Sequence, residues 1–374
     1  MLPYTARTTG LVLLLAVAVA GCAPAASPAA PAPAGVAPAE RAPAAPTAGA
    51  AAAPAPVAVV GEPDRVSIAW VRSINGAAFA VARGRGYFEA ERLTVEPTEF
   101  RSGTDVVGAL GTGQLDVSSS TIAAGTFNAW QRGVKMIVVA PQSIYPGEGL
   151  IPGNVVVRKE LVDSGAVRSA ADFRDRKLAI NARGGINEVI VMRMLERRGL
   201  TLDDIDLVTL PFPDHVSALA NGAIDVTAAP EPFGTLAIDQ NVGVRFAEDQ
   251  RSVGELQPAH YLFSGAFTED RADVGVRFLV AVMRATRELQ GNWVADPLLV
   301  KIIADEIDIK PDLLTRMIQP EFPPDLVTRP EDIDFLQEAF MRLGHLTYST
   351  PIDVRPFVNP TLAQRARVQL EARR

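Results

Sequence analysis

Two groups of polar and aromatic residues stand where apolar, strand-like runs give way to helical patterns. The first holds Trp70, Arg72, Asn75, Arg101, Ser102, Gly103, Thr104, Ser119 and Thr121. The second holds Asn181, Arg183, Gly184, Gly185, Asn187, Asp214 and Glu231. Their chemistry is that of binding. A helix N-terminus carries unpaired backbone N–H groups and the positive end of the helix dipole, so the amides at Thr104 and near Gly185 favour an anionic or strongly accepting group. Arg101 or Arg183 could add a bidentate contact, Trp70 could cover a ring or an alkyl chain, and Glu231, before Pro232, is available to an ammonium. Each residue also has a plainer use. Ser102 and Thr104 suit a helix cap, Trp70 a core position at a strand end, and Arg183 a solvated loop.

Bond-breaking chemistry finds little support. There is no Walker loop, no H-E-x-x-H and no C-x-x-C. The glycines of Gly108-Ala109-Leu110-Gly111-Thr112-Gly113 fall at a helix end, where they cradle no phosphate. His215, His260 and His345 are scattered; His215 falls in the first turn of a predicted helix near the proposed cleft, where a surface or capping role competes with ligand contact. No metal or cofactor is expected. A net charge of −7 argues against a nucleic-acid partner.

The elements that must position these groups are legible from an internal repeat. Residues 109 to 118 read Ala-Leu-Gly-Thr-Gly-Gln-Leu-Asp-Val-Ser, and residues 218 to 227 read Ala-Leu-Ala-Asn-Gly-Ala-Ile-Asp-Val-Thr. In each, a helix ends, a glycine (Gly113 or Gly222) takes the left-handed position that closes it, and a short buried strand follows (Leu115–Val117 or Ile224–Val226). Further strands are predicted at Val66–Val71, Leu93–Phe100, Lys135–Ala140, Lys177–Asn181, Ile205–Leu210 and Tyr261–Phe263. The helix after Asn187 shows Ile186, Val189, Ile190 and Met194 on one face. The pattern predicts an α/β chain of two βαβ lobes with mostly parallel sheets. Residues 64–147 with 262–374 form the first lobe and 148–261 the second. Pro141 to Pro152 serves as hinge, and helices after residue 270 pack back on the first lobe. In open parallel sheets ligands sit beyond the carboxyl ends of the strands, so the two polar groups face each other across a cleft.

The first 22 residues have a short positive start at Arg7 and an apolar run, Leu11–Ala18, too short to span a bilayer. Val19-Ala20-Gly21-Cys22 resembles a bacterial lipobox, which implies export and lipid on Cys22, the chain's one cysteine. Residues 23–63, dominated by Ala and Pro, read as a disordered tether. The expected location is a membrane surface outside the cytoplasm, with the folded part held there by lipid.

Several stretches together resemble the periplasmic solute-binding proteins of nitrate, sulfonate and taurine importers, and their relatives that bind thiamine pyrimidine precursors or riboflavin. They are Ala78-Phe79-Ala80-Val81-Ala82-Arg83-Gly84-Arg85-Gly86-Tyr87-Phe88 with Leu93-Thr94-Val95-Glu96, the two repeats, Phe173–Asn181, and Glu231-Pro232-Phe233. The resemblance covers about residues 64 to 290. It implies the type II periplasmic-binding-protein fold, a monomer that closes on a small solute, and docking on an ABC permease served by a cytoplasmic ATPase. A sensor role toward a receptor is the alternative partner. A thiamine-pyrimidine-forming branch of the fold relies on cysteines that this chain lacks after Cys22, so the resemblance implies a binding protein and not an enzyme. Two arginines, hydroxyls and helix N-termini favour a small anion or zwitterion; Trp70, Phe212, Phe233 and Tyr145 would suit a flat heterocycle.

Overall fold

The computed structural model describes residues 61–147, 151–246 and 253–373. Cys22 and the Ala/Pro-rich stretch to residue 60 lie outside them, as do residues 148–150 of the predicted hinge and residues 247–252.

Among the described residues ten strands form two five-stranded sheets. They are β1 (Asp64–Trp70), β2 (Leu93–Glu99), β3 (Val117–Thr121), β4 (Met136–Tyr145), β5 (Gly153–Arg158), β6 (Lys177–Ile180), β7 (Asp206–Thr209), β8 (Val226–Pro230), β9 (Gly243–Arg245) and β10 (Leu256–Ser264). The orders are β2-β1-β3-β10-β4 and β7-β6-β8-β5-β9. In the first sheet β1 lies parallel to both β2 and β3, and β10 runs antiparallel to β3 and β4. The second repeats the plan: β6 is parallel to β7 and β8, and β5 is antiparallel to β8 and β9. The two lobes predicted from the repeat are therefore present, each with one reversed strand beside its centre.

The repeat sets equivalent corners. The helices Gly103–Gly111 and Phe212–Ala220 end before Gly113 and Gly222, both at φ +74. The strands that follow are β3 and β8, each third in its sheet; they begin two residues later than the sequence reading places them. The shared aspartates explain the repeat. Asp116 accepts from the Ser67 amide at 2.9 Å, and Asp225 accepts from the Lys177 amide at 3.1 Å. Each carboxylate thus ties the entry of its own strand to the neighbouring parallel strand, and each has an arginine partner, Arg271 or Arg158. The sequence reading misses β5, which directly follows the stretch read as hinge, and β9, which is only three residues long.

The first lobe's core is aromatic. Phe88 stacks on Phe278 at 5.2 Å, and Trp70 lies 5.5 Å from Phe79. The helix Ala272–Glu288 buries Val276, Phe278, Leu279, Val282 and Met283 completely and packs on the helices Ala77–Gly84 and Pro360–Glu371. The later helices pack on the first lobe, and two of them reach the second as well. Pro330–Arg342 also touches Ile186–Glu196, and Pro311–Arg316 touches Phe233–Asp239, both belonging to the second sheet's layers. Their apolar faces fill space on both lobes. Among the described residues no helix is long and apolar enough to cross a membrane.

His260, at the centre of β10, is fully buried, and neither ring nitrogen finds a partner among the described residues. Burial, aided by the nearby Arg329 charge, holds its pKa down at about 3 against an ordinary 6.5. A depressed folded-state pKa means that the unfolded chain takes the proton first. Its full contribution to stability is present above about pH 6.5 and drains away as the pH falls toward 3. At pH 5 the loss is set by the unfolded value and amounts to about 2 kcal/mol. Urea unfolding of His260→Leu should show that much less destabilisation between pH 7 and pH 5 than the parent. Equal pH dependence in both chains would remove His260 from the account.

Candidate functional site

The helices Gly103–Gly111 and Ile186–Glu196 begin just past the carboxyl ends of β2 and β6, and their N-termini approach each other across the cleft. Three hydrogen bonds hold the lobes together there. The Ala124 amide donates to the Gly184 carbonyl at 2.9 Å, Thr104 Oγ1 to the Arg183 carbonyl at 3.5 Å, and Asn181 Nδ2 to the Arg101 carbonyl at 3.4 Å. Gly184 has φ +69, and a Cβ on it would lie 3.2 Å from Ala124 Cβ, so glycine suits the closed approach. The cleft is shut.

Between the helix ends lies a cavity with about 40 Å³ open to the centres of water-sized groups. That is room for about three waters, or one compact head group. Of the residues predicted to bind, Asn75, Ser102, Gly103, Thr104, Ser119, Thr121, Asn181, Gly185 and Asn187 line it. Ser73, Ser120, Gln142, Tyr145, Ile186, Phe212, Val71, Pro230 and Ala259 complete the wall. Gln142 is a polar residue inside the apolar run of β4, and that signal could have marked it from sequence.

The wall is rich in donors and carries no ionised side chain. Tyr145 is the one titratable group, and burial pushes its pKa up to about 12, so its hydroxyl stays protonated. Asn75 Nδ2 reaches that hydroxyl at 3.5 Å, and Asn75 Oδ1 accepts from Ser143 at 3.0 Å, which fixes the amide. Asn187 Nδ2 donates to Asn181 Oδ1 at 3.0 Å, orienting the Asn181 amide. Ser102 occupies the N-cap position, yet its hydroxyl donates to Asp105 and caps no amide. The first backbone N–H groups of both helices lack partners within their helices. Ser119 is only 2% exposed. Its Oγ lies by the hydroxyl of Tyr261, whose pKa burial pushes up, and meets no group in hydrogen-bond geometry among the described residues. An unpaired buried hydroxyl is costly, and a bound acceptor would satisfy it.

The remaining expected residues lie elsewhere. Trp70 is 4% exposed, and its ring fills the space beside Gly76 and Phe79, so it is core. The Arg183 guanidinium turns to Glu188 at 3.0 Å and the Leu207 carbonyl at 3.1 Å. Arg101 projects into solvent beside Asp105, and Arg72 pairs with Glu99 and Asp308 at the cleft mouth. Gly184 serves the closure contact, and Asp214 is exposed on its helix's first turn. Glu231 is wholly buried and bound by Thr235, Arg245 and the Ile318 amide, which leaves no ammonium site. His215 is also buried, between Thr227 Oγ1 at 2.5 Å and the Leu210 carbonyl at 2.9 Å; burial lowers its pKa. Five of these seven residues share one cause: the side chains of Trp70, Arg72, Arg101, Arg183 and Glu231 find carboxylates, carbonyls, donors or core space nearer than the cleft.

A family model described as the NMT1-like family matches residues 60–308. The nitrate/nitrite binding protein NrtA of Synechococcus elongatus is 23% identical over 273 residues, which are 67% of this chain and 60% of that protein. A putative aliphatic sulfonates-binding protein of Escherichia coli is 23% identical over 193 residues, 52% of this chain and 57% of that one. The chain thus spans somewhat over half the length of these curated relatives. The crystal structure of the periplasmic nitrate-binding protein NrtA from Synechocystis PCC 6803 superposes with a TM-score of 0.69 at 16% identity, covering 83% of this chain and 90% of that one. The fold is the two-lobed periplasmic-binding-protein fold.

Proposed function

Because the chain belongs to the NMT1-like family, we propose that it is the solute-binding component of an ABC importer, closing its two lobes over a small nitrate- or sulfonate-like anion. The observation that carries this reading is the enclosed, uncharged, donor-lined chamber on which two helix N-termini converge, with Ser119 Oγ unpaired in its wall. Helix ends and neutral donors bind one negative charge without a salt bridge, because the partial charges are fixed and need no counter-ion. A zwitterion loses the support Glu231 was expected to lend. A flat heterocycle is a poorer fit to 40 Å³, and of the rings enlisted for it Trp70 is core.

The rest of the reading comes from sequence. Lipid on Cys22 would hold the folded part at the outer face of a membrane, where it acts as a monomer and passes its solute to a permease. Binding and not catalysis is proposed, since no nucleophile stands beside a base in the chamber wall.

Calorimetry with nitrate and methanesulfonate tests the anion site, and Ser119→Ala sharpens the test. A hydrogen bond to a charged group contributes about 1.5–3 kcal/mol, so the variant should bind at least tenfold more weakly. Its stability should hold or rise slightly, because the deleted hydroxyl has no hydrogen-bond partner among the described residues. Parent-like affinity in a well-folded Ser119→Ala would sink the assignment of this chamber.

A further inference from the structure

Both backbone groups of Gly184 are held. Its carbonyl accepts from the Ala124 amide at 2.9 Å, and its N–H donates to Glu188 Oε2 at 2.6 Å. Ala124 opens the helix Ala124–Gln131 of the first lobe, whereas Gly184 and Glu188 belong to the second. Glu188 is only 1% exposed. Its carboxylate also meets Arg183 at 3.0 Å and His345 Nε2 at 2.7 Å. A carboxylate only accepts, so this ring nitrogen carries the proton and donates. His345 lies 157 residues further along the chain than Glu188. Its own carbonyl accepts from Asn128 Nδ2 at 2.9 Å. Asn128 stands one turn beyond Ala124 on the same helix, and its Oδ1 accepts from the Thr347 amide at 2.8 Å, which fixes its side chain.

These contacts close a ring: Ala124, Gly184, Glu188, His345, Asn128 and back along one helical turn to Ala124. Two of its links, Ala124 to Gly184 and His345 to Glu188, join the lobes, and both must break before the cleft can open. The second is a hydrogen bond to a buried carboxylate, the stronger kind, and the members of such a network reinforce one another. Arg342 pairs with Glu196 between the same two helices, but that pair is exposed and adds little. We infer that His345 is a positioning residue that clasps the closed cleft: through Glu188 it holds the loop at the start of the helix Ile186–Glu196, and so sets how readily the lobes part. None of the five ring residues lines the chamber, so the clasp acts on its walls and not on its contents. Its effect on solute release rests on the binding reading above; the link between the lobes does not.

Hydrogen exchange at the Ala124 amide, in the full chain with no solute added, reads the link directly. As the first residue of its helix Ala124 has no partner within it, so closure alone protects this amide. His345→Ala should speed its exchange about tenfold or more. His345→Gln, whose amide nitrogen reaches nearly the same place, should stay within about threefold of the parent. Amides inside β1 and β8 should exchange alike in all three chains. In stopped flow His345→Ala should also release nitrate about tenfold faster or more, and His345→Gln should restore the parent rate. Parent-like protection of Ala124 in His345→Ala would overturn the clasp. So would faster exchange shared by β1 and β8, which would assign His345 to stability alone, or failure of His345→Gln to restore protection. If nitrate does not bind the parent, the anion reading falls, while exchange at Ala124 still decides the clasp.

Discussion

Arg245→Met should lower the free energy of unfolding by about 3–5 kcal/mol, the range for removing one partner of a buried ion pair, and leave anion affinity within about twofold. Glu231 has no exposed surface. Its carboxylate accepts from the Thr235 amide at 3.0 Å, Thr235 Oγ1 at 2.9 Å, Arg245 at 3.0 Å and the Ile318 amide at 3.3 Å. Arg245 supplies the positive charge and also donates to Thr235 Oγ1 at 3.0 Å. Three neutral donors would remain in the variant, but the buried negative charge would stand uncompensated. This cluster joins the end of β8, the helix Phe233–Asp239, β9 and a segment far along the chain, so its loss should loosen their junction. It does not line the chamber. Urea unfolding at pH 7 with calorimetry on the same sample separates the two effects. A stability loss under about 1 kcal/mol would mean that Glu231 does not depend on Arg245. A large loss of affinity would return the cluster to the binding site.

The fold was readable in the sequence where local pattern and backbone geometry coincide. The pair of ten-residue repeats encodes a helix end, a left-handed glycine and a strand entry, all set by neighbours in sequence, and the aspartate in each does the same work in both lobes. Helix starts at Ser102 and Gly185 are likewise local, and with the end of β3 and the turn at Asn75 they bring nine of the expected residues to one chamber. Side-chain direction was not local. Trp70 and Val71 are adjacent at a strand end; one fills the core and the other lines the cleft, and composition alone says nothing of which. The arginines were misread because their reach exceeds the spacing of the loops. Arg72 is held partly by Asp308, far along the chain, while Arg183 turns back to Glu188 on the helix that follows it.

Gly103→Ala should weaken anion binding on the order of a hundredfold or more and destabilise the fold by about 1–3 kcal/mol. The reason is contact, since a Cβ at Gly103 would lie 2.1 Å from the Thr121 carbonyl oxygen and 3.1 Å from Thr121 Oγ1. The first of these is backbone in a central strand, and no rotamer relieves it. The helix Gly103–Gly111 must then lift from the end of β3. Its first amides leave the chamber, and the Thr104–Arg183 and Asn181–Arg101 contacts across the cleft stretch from distances that are already long. Two hydrogen bonds to a charged ligand, at about 1.5–3 kcal/mol each, account for the hundredfold. Gly108→Ala is the control in the same helix. That residue is exposed, nothing lies within 4 Å of its added Cβ, and alanine there should raise stability by about 0.5–1 kcal/mol. If Gly103→Ala binds as tightly as Gly108→Ala, the helix N-terminus is no part of the anion site, and the chamber must hold its solute by side chains alone.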